Sequence, residues 1–474
     1  MVMGELTQET DVLVIGGGPG GYAAAFRAAD LGLDVMVVDA EGRLGGVCLF
    51  RGCIPSKTLL YVAELIHDAG RAEEMGVTFG KPLINLDGLR QWKERVVEKL
   101  ARGLLDLCKS RGVQLIDGRA VFEASDQVRV FGAEVAHIKF RHAILATGSH
   151  AISLPGTEFK KGGRIMGSNG ALNLPDIPKN MLIIGGGYVG VELGSMYATL
   201  GSRVTMIEGS DRLLTGADAD LVQPLLRRLE GLFEAIHYHT RVESLKEYED
   251  RVEVTLEGNT SAPVQSFERV LIAIGRSPNS RNIGLENTKV KVSDRGFVVV
   301  NKQLRTEDEK IFAIGDVAGG VMLAHKAMHE GKIAAEVIAG KRVAFDFQTI
   351  PAVVYTDPQI AWCGLTEEEA RKQNRPIKIS RFPWSASGRA ASMGLYKGTT
   401  KMIVEPGTDR VLGVGIVGRD AGEMIAEGVL AVEMGAIAED VALSIHPHPT
   451  LSEGEEEAAE AFLGSSTHIL PLRK

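Results

Sequence analysis

An apolar strand, a glycine-rich turn and a helix with small residues on one face occur twice in this chain, and that repeat restricts the fold more than any other feature of its 474 residues. The first copy is Asp11-Val-Leu-Val-Ile-Gly16-Gly-Gly18-Pro-Gly-Gly21 and the second is Met181-Leu-Ile-Ile-Gly185-Gly-Gly187-Tyr-Val-Gly190. A further apolar strand closes each unit on an acid, Val35 to Asp39 in one and Val204 to Glu208 in the other. In such a unit one glycine permits a tight turn, another lets backbone approach a pyrophosphate, and the third lets helix and strand pack closely. The helix N-terminus adds N–H groups and positive potential. The acid accepts hydrogen bonds from a ribose, and the distance from Gly18 to Asp39, like that from Gly187 to Glu208, is 21 residues, matching the spacing of about 20 that the geometry needs. A lone G-x-G-x-x-G is weak evidence. Two copies, each after a strand and each with its acid, predict an α/β chain with two Rossmann-like dinucleotide-binding domains.

Two later segments, Val270 to Gly275 and Ile311 to Asp316, again set a glycine directly after an apolar strand, where backbone must come close to something. From about Phe345 the pattern changes. Strand-like runs at Lys401 to Val404 and Val411 to Val417 alternate with helices at Ala421 to Met434 and Glu455 to Phe462, without a phosphate loop, which predicts a C-terminal α+β dimerisation domain. The expected division is 1–150 for the first part of one dinucleotide-binding domain, 151–274 for the other, 275–345 for a second, central part of the first, and 346–474 for the interface.

Between the first repeat and the second lies Leu44-Gly-Gly-Val-Cys48-Leu-Phe-Arg-Gly-Cys53-Ile-Pro-Ser-Lys57. Four intervening residues put the cysteines a little over one helical turn apart, near enough to bridge if the turn is distorted. Thiolates gain stabilisation at a helix N-terminus and beside a lysine. Thiol–disulfide exchange needs an accessible sulfur to attack and a second to leave. Cys108 and Cys363 have no such partner and read as small apolar residues.

With these residues in hand, the chain resembles the pyridine nucleotide-disulfide oxidoreductases along essentially its whole length. The FAD loop, the cysteine segment, Ala146-Thr147-Gly148, the NAD loop, Ala273-Ile-Gly-Arg-Ser-Pro-Asn279, Ile314-Gly-Asp316 with Met322-Leu-Ala-His325-Lys, and His448-Pro-Thr-Leu-Ser-Glu453 appear in family order. Within the family, Phe382-Pro-Trp-Ser-Ala-Ser-Gly-Arg389-Ala and the C-terminal pattern are most similar to bacterial members that oxidise dihydrolipoamide with NAD. The resemblance implies FAD held by Gly16, Gly18, Gly21, Asp39, Lys57, Thr147, Gly148, Asp316, Met322 and Ala324, and NAD held by Gly185, Gly187, Gly190, Glu208 and Gly275. It implies that His448, oriented by Glu453, takes a proton from a dihydrolipoyl thiol, that the thiolate attacks Cys48, and that Cys53 leaves as a thiolate beside the flavin. Lys57, paired with Glu192, sits near the flavin. The implied partners are a second copy of the chain and the lipoyl domains of 2-oxoacid dehydrogenase or glycine-cleavage complexes.

Three departures from the family pattern stand out. Asp39 replaces the usual glutamate, one methylene shorter. Phe50 and Arg51 lie between the cysteines where an asparagine and a small aliphatic residue are usual, and a cation at position 51 is expected to favour thiolates. Pro447 stands where alanine is frequent. Alternatives are a family member reducing glutathione disulfide or mercuric ion, and a flavin-bound docking subunit without catalysis. Glu208 with Gly190 favours NAD over NADP, and the lack of any cysteine after Cys363 argues against a C-terminal thiol pair.

Bulk properties agree. A composition 45% apolar and 24% charged is that of a globular chain, and a net charge of -8 argues against nucleic acid as a partner. Met1 to Thr10 lacks the basic flank of a secretory signal, and the longest late apolar run, Val429 to Leu443, is broken by Glu433, Glu439 and Asp440, so a cytoplasmic protein without a membrane span is expected.

Overall fold

The computed structural model describes residues 6–260 and 262–470; the first five residues of the stretch Met1 to Thr10 lie outside them. Strand β1 (Thr7–Ile15) runs into helix α1 (Pro19–Asp30), which starts with a proline preset for a first helical turn. Strand β2 (Val35–Asp39) then lies parallel to β1, with Val12 beside Val35 and Ile15 beside Val38. On the other side of β1 comes His137–Leu145, which also pairs with the late strand Ile311–Ala313. The central segments of these strands, 12–15, 35–38 and 143–145, are apolar and buried on both faces of the sheet.

The second copy of the repeat builds a five-stranded parallel sheet in the order Ala235–His237, Arg203–Ile207, Asn180–Ile184, Arg269–Ile272 and Ile165–Met166. The two phosphate turns are near copies in geometry as well as in letters. Gly16 and Gly185 both have left-handed backbones, φ 107° and 106°. A Cβ on Gly21 would lie 1.8 Å from the Gly16 carbonyl oxygen, and one on Gly190 would lie 2.0 Å from that of Gly185. The middle glycines, Gly18 and Gly187, face open space. Turn, approach and packing are thus divided among the three glycines as the spacing predicts.

A two-stranded antiparallel ribbon, Ser149–Ala151 with Arg276–Pro278, joins the sheets where the chain leaves one and returns to the other. The C-terminal module is a five-stranded antiparallel sheet, ordered Ala352–Val354, Gln359–Gly364, Val411–Gly418, Thr399–Val404 and Lys378–Pro383, with helices Ala421–Met434 and Glu453–Leu463 packed on it. Its core closes around Trp384, 1% exposed, whose indole N–H donates to Thr400 at 3.1 Å. No helix among the described residues is long and apolar enough to cross a membrane.

Candidate functional site

The cysteines lie at a break between two helices. Helix α2 (Gly46–Arg51) carries Cys48, and helix α3 (Cys53–Arg71) begins at Cys53, with Gly52 between them. The distortion that a bridge between residues five apart requires is therefore a full interruption of the helix at a glycine. Cys53 gains the exposed N–H groups of α3's first turn, the setting that stabilises a thiolate.

Both cysteines are free thiols, and the Cys48 S–H donates to Cys53. That hydrogen bond, helped by burial, pushes Cys48 far above the ordinary thiol range. The same bond, with the Lys57 ammonium acting against burial, brings Cys53 down to about 7. Once the pair has lost a proton, the remaining one is shared between the two sulfurs, and Lys57 favours the charge on Cys53.

Lys57, one turn into α3, points its Nζ at both oxygens of Glu192, 3.1 and 2.9 Å away. Glu192 comes from the helix after the second phosphate turn (Tyr188–Leu200) and is only 3% exposed, so its charge is balanced by Lys57 rather than by water. A third bond to Glu192 comes from the backbone N–H of Tyr355, at 2.9 Å.

These groups open onto one cleft of about 880 Å³. Gly16, Gly18 and Asp39 line it together with Cys48, Cys53, Lys57 and Glu192. Thr147, Gly148, Asp316, Met322 and Ala324 line the same cleft. A cleft lined by both a phosphate turn and a thiol pair fits a flavin dinucleotide: Gly18 and Gly148 leave space that a Cβ would intrude upon. The Asp316 carboxylate accepts from Ser149, whose hydroxyl also accepts from Arg276 Nε at 2.7 Å. Its loop is splinted by an ion pair inside the helix Ala324–Ile338. Lys326 and Glu330 are 2.6 Å apart, Glu330 accepts from the Gly315 N–H at 2.7 Å, and Lys326 donates to the Gly319 carbonyl at 2.9 Å.

The two acids that close the repeats behave alike despite their different lengths. Asp39 accepts from the Gly17 N–H at 2.7 Å and the Glu41 N–H at 2.9 Å. Glu208 accepts from Gly186 at 2.6 Å and Ser210 at 2.8 Å. Burial works against the Glu208 charge, but these N–H donors outweigh it and hold the carboxyl below its ordinary value. Gly185, Gly187, Gly190 and Glu208 lie at the second turn, outside the large cleft. Gly275, with φ 124°, sits at the start of the ribbon, its carbonyl accepting from Ile152 at 3.1 Å.

Arg51, the cation expected to favour thiolates, has a carboxylate partner of its own. Its guanidinium is paired with Glu41, which also holds Arg43 at 3.2 Å, while Arg43 lies 3.7 Å over the ring of Phe50. Phe50 and Arg51 instead tie α2 to the loop after Asp39.

His448 and Glu453 meet as the spacing suggests: His448 Nδ1 is 2.7 Å from Glu453. A carboxylate there accepts the Nδ1–H, leaving Nε2 as the basic nitrogen. Yet His448 is largely exposed, and neither residue lines the cleft that holds the cysteines. Its neighbour His446 is buried between Glu427 at 2.8 Å and Glu456 at 3.3 Å.

Sequence reasoning missed Tyr355, the Lys326–Glu330 splint, and the link from Arg276 through Ser149 to Asp316. Only the splint left a signal, opposite charges four positions apart.

Comparison with known proteins adds a sequence-wide likeness. Residues 10–331 match the model of the pyridine nucleotide-disulphide oxidoreductases, and residues 350–459 match that family's dimerisation domain. The chain is 43% identical to a dihydrolipoyl dehydrogenase of Buchnera aphidicola, over 98% of each chain. It is 44% identical to one from Vibrio cholerae, over 97% of each. Among solved structures, LpdA from Mycobacterium tuberculosis superposes with a TM-score of 0.88 at 25% identity, covering 96% of this chain and 99% of the other.

Proposed function

The chain belongs to the pyridine nucleotide-disulphide oxidoreductases, and on that premise we propose that it oxidises protein-bound dihydrolipoamide to lipoamide, passing the electrons through a Cys48–Cys53 disulfide to NAD. The observation that carries the reading is the pair of free thiols sharing one cleft with a phosphate turn and the Lys57–Glu192 ion pair. FAD bound in the cleft supplies the two-electron acceptor for the thiols, and NAD at the second turn the final hydride acceptor.

The chain's own groups divide the work. With Glu453 holding Nδ1, His448 takes the substrate thiol proton on Nε2. The substrate thiolate attacks the sulfur of Cys48, the Cys48–Cys53 bond breaks, and Cys53 departs as a thiolate stabilised by Lys57. The second substrate sulfur attacks the first, breaking that sulfur's bond to Cys48; His448 hands its proton to Cys48 and takes the one that the second thiol gives up. The cyclic disulfide leaves and Cys48 keeps the electron pair and a proton. Lys57, fixed by Glu192, offsets negative charge at the flavin end of the cleft. Asp316, held by Ser149, accepts from ribityl hydroxyls, and Glu208 from the ribose of NAD.

Because His448 stands outside its own chain's cleft, we assign the base to the partner subunit of a homodimer built on the C-terminal module. An exposed apolar surface at Leu430, Met434, Leu443 and Ile445 supports pairing there. Lipoyl domains of a 2-oxoacid dehydrogenase or glycine-cleavage complex are the assigned substrate carriers, and the cytoplasm the assigned compartment. Turnover of dihydrolipoamide with NAD, compared with glutathione disulfide and NADPH, tests the assignment. The first reaction is expected to dominate, and preference for the second overturns it.

A further inference from the structure

One side chain beside the redox pair comes from the C-terminal module of the same chain. Tyr355 follows the strand Ala352–Val354, and its ring centroid lies 4.5 Å from Lys57 Nζ. Its backbone N–H binds Glu192 Oε1, the oxygen that Lys57 also reaches at 3.1 Å. Lys57 is therefore held by a carboxylate on one side and an aromatic face on the other, and an aromatic face attracts an ammonium.

The contact is the first of a series. Along α3, Lys57 meets Tyr355, Glu64 and Asp68 both meet Arg419, His67 lies 3.0 Å from Asp357, and Arg71 donates to the carbonyls of Met393 and Gly394 at 3.0 and 3.1 Å. Positions 57, 64, 68 and 71 recur at helical spacing on one face. The helix that begins at Cys53 is thus braced along that face by the C-terminal module, and the Tyr355 contact is the one nearest the sulfurs.

We propose that Tyr355 is a positioning residue for the Lys57–Glu192 pair, and through it for the thiolate of Cys53. The ring confines Lys57 Nζ between itself and Glu192; without it the ammonium has room to swing toward solvent, since the Lys57 side chain is 32% exposed. The inference rests on the assignment of Cys53 as the flavin-side thiolate. Titratable groups around that sulfur are Cys48 on α2, Lys57 on α3, Glu192 and Tyr188 on the helix after the second turn, Tyr22 on α1, and Tyr355 itself.

The experiment uses the FAD-loaded dimer carrying Cys48→Ser, in which the thiolate of Cys53 is read by its long-wavelength absorbance against the flavin. The pH midpoint of that absorbance is compared for Tyr355, Tyr355→Phe and Tyr355→Leu. Leucine keeps the backbone N–H to Glu192 and removes the ring. It is expected to raise the midpoint by about half a unit, a roughly threefold fall in the thiolate-to-thiol ratio, as befits one cation–aromatic contact. Phenylalanine is expected to restore the parent midpoint. Equal midpoints in all three overturn the proposal, as does a shift in phenylalanine as large as in leucine. If the leucine protein does not retain FAD or the dimer, Tyr355→Met, similar in volume and unbranched, takes its place under the same criteria. Absence of the band with Tyr355 intact overturns the Cys53 assignment instead, and the inference with it.

Discussion

A thiol that sits near 7 and one that sits far above the thiol range make different predictions for each cysteine. Cys53→Ser is expected to abolish the long-wavelength band of the reduced enzyme, whereas Cys48→Ser shows it without added reductant; the reverse pattern exchanges the two roles. Cys53's value is depressed, so its charge is present above about pH 7 and lost as the pH falls through it. The band of the reduced protein should fade below neutrality, and a band still full at pH 5 contradicts the assignment. Glu208→Ala, which strips an acceptor from the second turn, should weaken NAD and relax discrimination against NADP, measured as the ratio of kcat/KM values. Arg51 shows where letters mislead. From sequence it is a cation between two cysteines; in space its charge is countered by Glu41, so Arg51→Val should leave the potential of the thiol pair unchanged. Tyr355 was illegible for the converse reason, since nothing in a tyrosine some 300 positions from Lys57 says that the two will touch.

Elements with a strong repeat were legible and short ones were not. The two strand–turn–helix units follow from spacing alone, because a residue other than glycine at Gly21 or Gly190 collides with a carbonyl. Helix α2, six residues long between glycines, could not be read: so short a helix has no stability of its own and takes its place from what holds it. Leu49 is buried beneath it, while Phe50 and Arg51 clasp the neighbouring loop. The helix Ala324–Ile338 illustrates a second kind of bracing, in which Lys326 and Glu330, 7% and 4% exposed, fix both ends of the Asp316 loop. Glu330→Leu would strand a buried ammonium and an unpaired Gly315 N–H, at a cost on the order of 3 kcal/mol. The expected outcome is a lower melting temperature together with faster FAD release, followed by flavin fluorescence. Glu330→Gln, which keeps an acceptor for Gly315, should recover most of the FAD retention; equal loss in both variants would locate the effect elsewhere.

For the molecule as a whole, the proposed shared site predicts complementation. Cys53→Ser and His448→Gln chains, each nearly inactive alone, are mixed after dissociation. Half of randomly paired dimers are mixed, and each has one site with both native groups, so roughly one quarter of the native activity should return. Demonstrated heterodimers without recovery would place the base in cis. Sequence order could name the base and its carboxylate but not the chain whose cleft they serve, because that depends on the exposure of one histidine relative to a distant pair of sulfurs. The segment around that histidine has a further consequence. Ile445 is 97% exposed and Leu443 74%, flanking a basic nitrogen that its own cleft does not receive. On the proposed shared site, a newly made chain would carry the thiol pair and the flavin cleft before it owned a working proton acceptor, and burying those side chains would be the same event that delivered one. Catalysis and the concealment of sticky surface would start together, so that an orphan subunit is idle as well as conspicuous to the cell's disposal machinery.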